Sequence, residues 1–141
     1  MLVEKVLYCA QVKATAGQDI RTVSSDGVLD LKVIRPSEMG GTNSRGTTPE
    51  QLFAASYAAS FLEVMRLVAG RESVTLPRNT EVEASVGVGP TPRGFGIEVE
   101  LRICLPGLPR AEADLLVEKS HALCPYSNAM RGNVSVRLVF G

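Results

Sequence analysis

Few residues in this chain can do chemistry. Cys9, Cys104 and Cys124 are its thiols, and His121 is its one histidine. Thiols do redox or nucleophilic work only when the thiolate is favoured. His121 and Cys124 are spaced as a pair of metal ligands would be, but a structural zinc site needs four ligands and only these two are present in that pattern. No metal site and no cofactor are predicted. A lone histidine on a helix reads as solvated rather than as a general base. Gly87-Val88-Gly89 and Gly94-Phe95-Gly96 bracket a hairpin turn and do not open a helix, so they are not a phosphate loop. An odd number of cysteines argues against a structural disulfide framework.

Composition narrows the classes further. At 141 residues the chain is expected to be a single domain, 1–141, or a subunit that completes its core with a partner. Hydrophobic residues make up 45% and charged residues 21%, as in a globular protein. Fifteen basic residues balance fifteen acidic ones. The basic excess of a nucleic-acid binder is missing. With 5% aromatics and no Trp, a base-stacking platform is not expected either. Met1-Leu2-Val3-Glu4-Lys5 does not read as a signal peptide. No run of about 18 uninterrupted apolar residues suggests a membrane span. The expected location is the cytoplasm.

Several elements must position these side chains. Val3 to Ala14 alternates, with Val6, Tyr8, Ala10 and Val12 on one face, and reads as a strand. Ala16-Gly17-Gln18-Asp19 is a turn, and Arg21 to Ser24 is a short strand. Asp26-Gly27 suits a type I′ hairpin leading into a strand over Val28 to Ile34. Pro36 to Thr47 reads as a loop. Thr48 can cap a helix with Pro49 first and Glu50 in its first turn, and Gln51 completes capping-box spacing. That helix runs to Ala69, with Gly70 suited to the left-handed end position. From Leu52 to Leu62 every residue is apolar, Ser or Tyr, which predicts burial on all sides and a partner subunit covering part of it. Thr80 to Val88 should pair with Gly94 to Leu105, whose Ile97, Val99, Leu101, Ile103 and Leu105 face inward. Pro109 opens a second helix that stops at Pro125, with a stripe of Leu115, Leu116, Ala122 and Leu123. Asn133 to Phe140 is a closing strand. The order predicts an α+β chain without βαβ units.

The segments Thr48-Pro49-Glu50-Gln51-Leu52-Phe53-Ala54-Ala55, Ser56-Tyr57-Ala58-Ala59-Ser60-Phe61 and Cys124-Pro125-Tyr126-Ser127-Asn128-Ala129 carry a resemblance. So do Val23-Ser24-Ser25-Asp26-Gly27 and Gly94 to Leu101. In order, over nearly the whole chain, they resemble the organic hydroperoxide resistance branch of the OsmC/Ohr family. The resemblance implies an OsmC-like fold in an intertwined homodimer, with buried central helices packed on antiparallel sheets. It implies reduction of organic or fatty-acid hydroperoxides by a peroxidatic cysteine on the central helix. A resolving cysteine then forms a disulfide with it, which a lipoylated protein or another dithiol reduces. An Arg and a Glu activate the thiolate.

Carried over by position, Glu50 falls on the activating Glu and Cys124 on the resolving Cys. Ser60 stands where the peroxidatic Cys belongs and Gln18 where the activating Arg belongs. Arg21 lies at a place where the family also carries Arg, so it is not a substitute. Peroxide reduction needs a nucleophile that ends as a sulfenic acid, and a protonated Ser hydroxyl has no equivalent step. Cys124, at a helix C-terminus, lies where the dipole disfavours a thiolate. Two departures at one site suggest divergence rather than a single engineered Cys→Ser trap. Turnover is therefore expected to be lost or crippled. The alternative reading is a non-catalytic binder of an apolar peroxide or fatty acyl ligand, and a third is thiol chemistry centred on Cys124.

Overall fold

In the computed structural model, which describes every residue except Asn43, the chain forms two compact units, Met1–Leu52 and Phe53–Gly141. The first is a three-stranded antiparallel meander of β1 (Val12–Thr15), β2 (Ile20–Ser24) and β3 (Asp30–Val33). Lys13 pairs with Val23, and Val23 with Asp30. The turn between β2 and β3 lies where Asp26-Gly27 places it, but it is not type I′. Gly27 has φ +76° while Asp26 stays at negative φ, and the Gly27 N–H donates to the Ser24 carbonyl at 2.9 Å. The Asp26 carboxylate shapes the loop by accepting from the Ser24 hydroxyl at 2.6 Å and the Val28 N–H at 3.0 Å. A short 3₁₀ turn, Ser37–Met39, interrupts the loop that follows.

The strand expected over Val3 to Ala14 is reduced to its last few residues. Residues 3–11 take no regular structure, and Leu7 and Tyr8 are 88% and 83% exposed. Alternation supplies a face, but a strand also needs neighbouring backbone to pair with. β1 finds β2, whereas the residues before it contribute one such bond, from the Ser25 N–H to the Gln11 carbonyl.

α1 (Pro49–Arg71) starts as predicted, with the Thr48 hydroxyl accepting the Gln51 N–H at 3.1 Å. The capping box does not close: the Gln51 side-chain oxygen accepts instead from the Thr47 hydroxyl at 2.9 Å. At the other end the helix continues through Gly70 to Arg71. Ser73, at φ +55°, takes the left-handed position, and the Val74 N–H returns to the Ala69 carbonyl at 2.9 Å. α1 is long and apolar enough to cross a membrane by length and composition alone. Its Tyr57, Phe61 and Met65, however, are fully buried in the protein core. Burial follows one stripe, Tyr57, Phe61, Met65, Val68 and Ala69, rather than every face as the sequence suggested.

The second unit holds a sheet of order β4-β5-β6, with β4 (Glu81–Thr91), β5 (Gly94–Cys104) and β6 (Val136–Phe140). The hairpin strands stay paired as far as Thr91 and Gly94, so only Pro92 and Arg93 form the turn, shorter than the sequence suggested. One face presents Val82, Ala84 and Val86 beside Ile103, Leu101 and Val99, and the register continues to Leu138 on β6. This face and the α1 stripe belong to one core. Full burial of each such side chain stabilises by ~1.5–3 kcal/mol. β6 runs parallel to β5, so the chain between them makes one βαβ crossover, against the prediction of none. α2 (Arg110–Leu123) buries Ala113, Leu116, Val117 and Ser120, while Leu115 and Leu123 are 49% and 45% exposed. The predicted stripe is thus displaced to i, i+3, i+4 and i+7 from Ala113. Pro125 ends α2 and at once begins α3 (Pro125–Met130).

Candidate functional site

Cys124 lies between the two short helices. It is the C-terminal cap of α2, its N–H bonded to the Ser120 carbonyl at 2.8 Å, and the N-terminal cap of α3. The predicted helix-end environment is therefore two-sided: one dipole end disfavours a thiolate and the other favours it. Its side chain is fully buried in the core that includes Tyr57 and Phe61. Cys9 is exposed and Cys104 half-buried, and all three thiols are free.

Polar contacts converge around Cys124. The Tyr57 hydroxyl of α1 lies 2.7 Å from the Ser127 hydroxyl of α3. Ser127 lies 2.8 Å from Nδ1 of His121 on α2. Arg131 completes the group, donating to the His121 carbonyl at 3.0 Å and to the Asn128 side-chain oxygen at 2.5 Å. Above it, Tyr57 stacks on Tyr126 with centroids 5.7 Å apart, and both meet Phe53 edge-on at 6.3 and 6.2 Å. Burial pushes the Tyr57 phenol above its ordinary value, opposed by its bond to Ser127, and a charge at Cys124 would push the same way as burial. Burial holds His121 below its ordinary value, and the Arg131 guanidinium adds to this. His121 is thus not the solvated helical residue the sequence suggested. Ser127 and Tyr57 were legible only as members of motifs. The available signal was the spacing of His121, Cys124 and Ser127 around Pro125, together with a tyrosine on an otherwise apolar helix.

The remaining predicted positions are dispersed. Ser60 is half-buried on α1, one turn beyond Tyr57. Glu50 lies ten residues earlier on the same helix, which is ~15 Å of rise and roughly 280° of rotation. Its Oε2 is buried without a hydrogen-bond partner, and among the described residues no cation pairs with it. Gln18 sits in an exposed bend after β1. Arg21 is committed to Asp30 at 2.7 Å across the β2–β3 pair. Among the described residues no group of three or more His, Cys, Asp or Glu could hold a metal ion.

Comparison with known proteins places this geometry. Residues 41–139 match the family described as OsmC-like protein. An organic hydroperoxide resistance protein of Xanthomonas axonopodis pv. citri is 53% identical over 96% of this chain and 95% of its own length. Two crystal structures of organic hydroperoxide resistance proteins share the fold. That from Elizabethkingia anophelis has TM-score 0.91 and 42% identity, covering 97% of this chain and 98% of the other. That from Legionella pneumophila has TM-score 0.90 and 41% identity, covering 97% and 99%. The family match, the sequence identity and the shared fold agree, and the chain belongs to the OsmC-like family, in its organic hydroperoxide resistance branch.

Proposed function

We propose that this chain is a cytoplasmic, homodimeric organic hydroperoxide resistance protein, one family domain over 1–141, whose peroxide chemistry has been disabled at Ser60 while its pocket is kept. Ser60 carries the reading. In the family reaction a thiolate attacks the distal peroxide oxygen, the O–O bond breaks, and an alkoxide leaves to be protonated to the alcohol. The sulfur is oxidised to a sulfenic acid. Cys124 would then attack that sulfur, release water and close a disulfide, which an external dithiol reduces. A serine hydroxyl stays protonated at neutral pH and cannot give up the two electrons that the peroxide takes. Gln18 adds no positive charge to lower a neighbouring pKa or to draw a peroxide in. The unpaired Glu50 oxygen fits the same loss, because the cation it would serve is the one replaced by Gln18.

The homodimer is supported by apolar surface. Leu2, Val6, Leu7 and Tyr8 are 93%, 70%, 88% and 83% exposed, and Phe95 is 76% exposed. A second copy of this chain is the occupant we infer. Sedimentation at micromolar concentration should give about twice 15.1 kDa. A folded monomer would contradict it.

The test of function is turnover of cumene hydroperoxide with a dithiol by the unaltered chain, expected at the rate without protein. The favoured role is then retention of an apolar peroxide or fatty acyl ligand without turnover. Turnover abolished by Cys124→Ser would instead locate a thiol reaction at Cys124, which its complete burial disfavours.

A further inference from the structure

The Tyr57–Ser127–His121 chain has a direction that its proton count fixes. Each hydroxyl has one proton to place. Ser127 is buried, with the Tyr57 oxygen 2.7 Å and His121 Nδ1 2.8 Å away and no third partner for its Oγ among the described residues. The Tyr57 hydroxyl has Ser127 as its partner and no other among them. If Nδ1 carried a proton and donated it to Ser127, two arrangements would remain. Ser127 could donate to Tyr57, leaving the phenol proton unpaired in the core. Ser127 could accept from both sides, leaving its own proton unpaired. A buried unpaired donor is costly. If Nδ1 is unprotonated, Tyr57 donates to Ser127, Ser127 donates to His121, and every proton is placed.

We propose that Ser127 is a positioning residue: it passes the hydrogen bond from Tyr57 to an unprotonated His121 Nδ1, and so holds the α2–α3 junction that carries Cys124 against the turn of α1 that leads to Ser60. Three elements meet at one hydroxyl. α1 contributes Tyr57, one turn before Ser60; α2 contributes His121, one turn before Cys124; α3 contributes Ser127, one turn after it. Arg131, bonded to the His121 carbonyl and to Asn128, braces the same junction and sets a positive charge beside the imidazole. The titratable or charged groups facing the chain are Tyr57 from α1, Cys124 at the junction and Arg131 at the end of α3. Of these, Arg131 disfavours a second proton on His121. The link to Ser60 rests on the proposed function; the direction of the hydrogen bonds does not.

Two measurements test this. Long-range ¹H–¹⁵N correlation spectra of the unaltered dithiol-reduced protein should show His121 as the Nε2–H tautomer, with a titration midpoint below that of a free histidine. Ser127→Ala, which removes the donor to Nδ1, should move that midpoint back up, and Ser127→Thr should leave it in place. In a Ser60→Cys background, adding Ser127→Ala should slow peroxide-driven formation of the 60–124 disulfide by about tenfold to a hundredfold, as a misplacement of about 1 Å does. Ser127→Thr should restore the rate. If Ser127→Ala does not fold, the tautomer of the unaltered protein still decides the direction, and Tyr57→Phe serves in its place in the disulfide measurement. An Nδ1–H tautomer, or a midpoint unmoved by Ser127→Ala, overturns the proposal. If Ser60→Cys forms no disulfide in any background, the family reading of the site fails, and the tautomer and midpoint still decide the hydrogen-bond direction.

Discussion

Two stretches of α1 carry buried polar groups in opposite conditions. At Tyr57 the hydroxyl is paired to Ser127, Ser127 is paired to His121, and the aromatic rings of Phe53 and Tyr126 close over them. At Glu50, two turns earlier, a carboxylate oxygen is buried with nothing to accept from among the described residues. The difference follows the pattern of substitution. The first group is built from residues that the motifs retain, Tyr57, His121 and Ser127. On the proposed function, the second lacks the cation that position 18 would supply, since Gln18 stands there. A polar network survives while all its members survive. When one is replaced, the survivor stays behind as an unsatisfied group.

The largest expected effect lies in the paired region. Ser127→Ala leaves the Tyr57 proton unpaired in the core, which should cost about 1–3 kcal/mol by urea denaturation. An unchanged midpoint would mean that the two regions do not differ. The same network gives stability a pH dependence. His121 binds protons less readily when folded than when unfolded, where its pKa is near 6.5. The unfolded state therefore binds more protons in the window just below 6.5, so this contribution is complete above that value and is lost as the pH falls toward the folded value. Stability measured across that window should rise with pH, and Ser127→Ala should flatten the rise.

The next effect would come from restoring the cation. In a double-mutant cycle, Gln18→Arg and Glu50→Gln should couple by about 1 kcal/mol, because the Arg acts through the carboxylate. Additive free energies would show that position 18 and Glu50 do not meet. The smallest effect is Glu50→Gln alone. It removes an unpaired charge and a helix-dipole contact of opposite sign, so the midpoint should move by no more than about 0.5 kcal/mol.

The sequence disclosed the fold most clearly where a local pattern and its tertiary partner lie close together. β5 alternates cleanly and pairs through a tight turn, and its Val99, Leu101 and Ile103 are buried as their spacing implies. The Thr48 cap is equally local. Patterns that depend on distant partners misled. Residues 3–11 have a strand's alternation, but among the described residues only the Ser25 N–H beside them pairs with their backbone. Leu115 and Leu123 are apolar but exposed, because α2 turns Ala113, Leu116, Val117 and Ser120 into the core instead. Gly70 suits a helix end by type, yet α1 continues past it and Ser73 takes the left-handed position. Of the candidate site, Cys124 was singled out by motif, and it lies at the α2–α3 junction. The Tyr57–Ser127–His121 chain was not, because its two hydrogen bonds join residues 70 and 6 apart in sequence and only the packing of three helices brings them together.

The central claim is that the identity of residue 60 decides whether this protein reduces peroxides. Dithiol-dependent reduction of cumene hydroperoxide should be measured for the unaltered chain, Ser60→Cys, and Ser60→Cys with Gln18→Arg. The account predicts no turnover by the first, turnover by the second and a further non-additive gain in the third, since the Arg has no thiolate to stabilise until a cysteine stands at position 60. Turnover by the unaltered chain equal to that of the Ser60→Cys variant would contradict it.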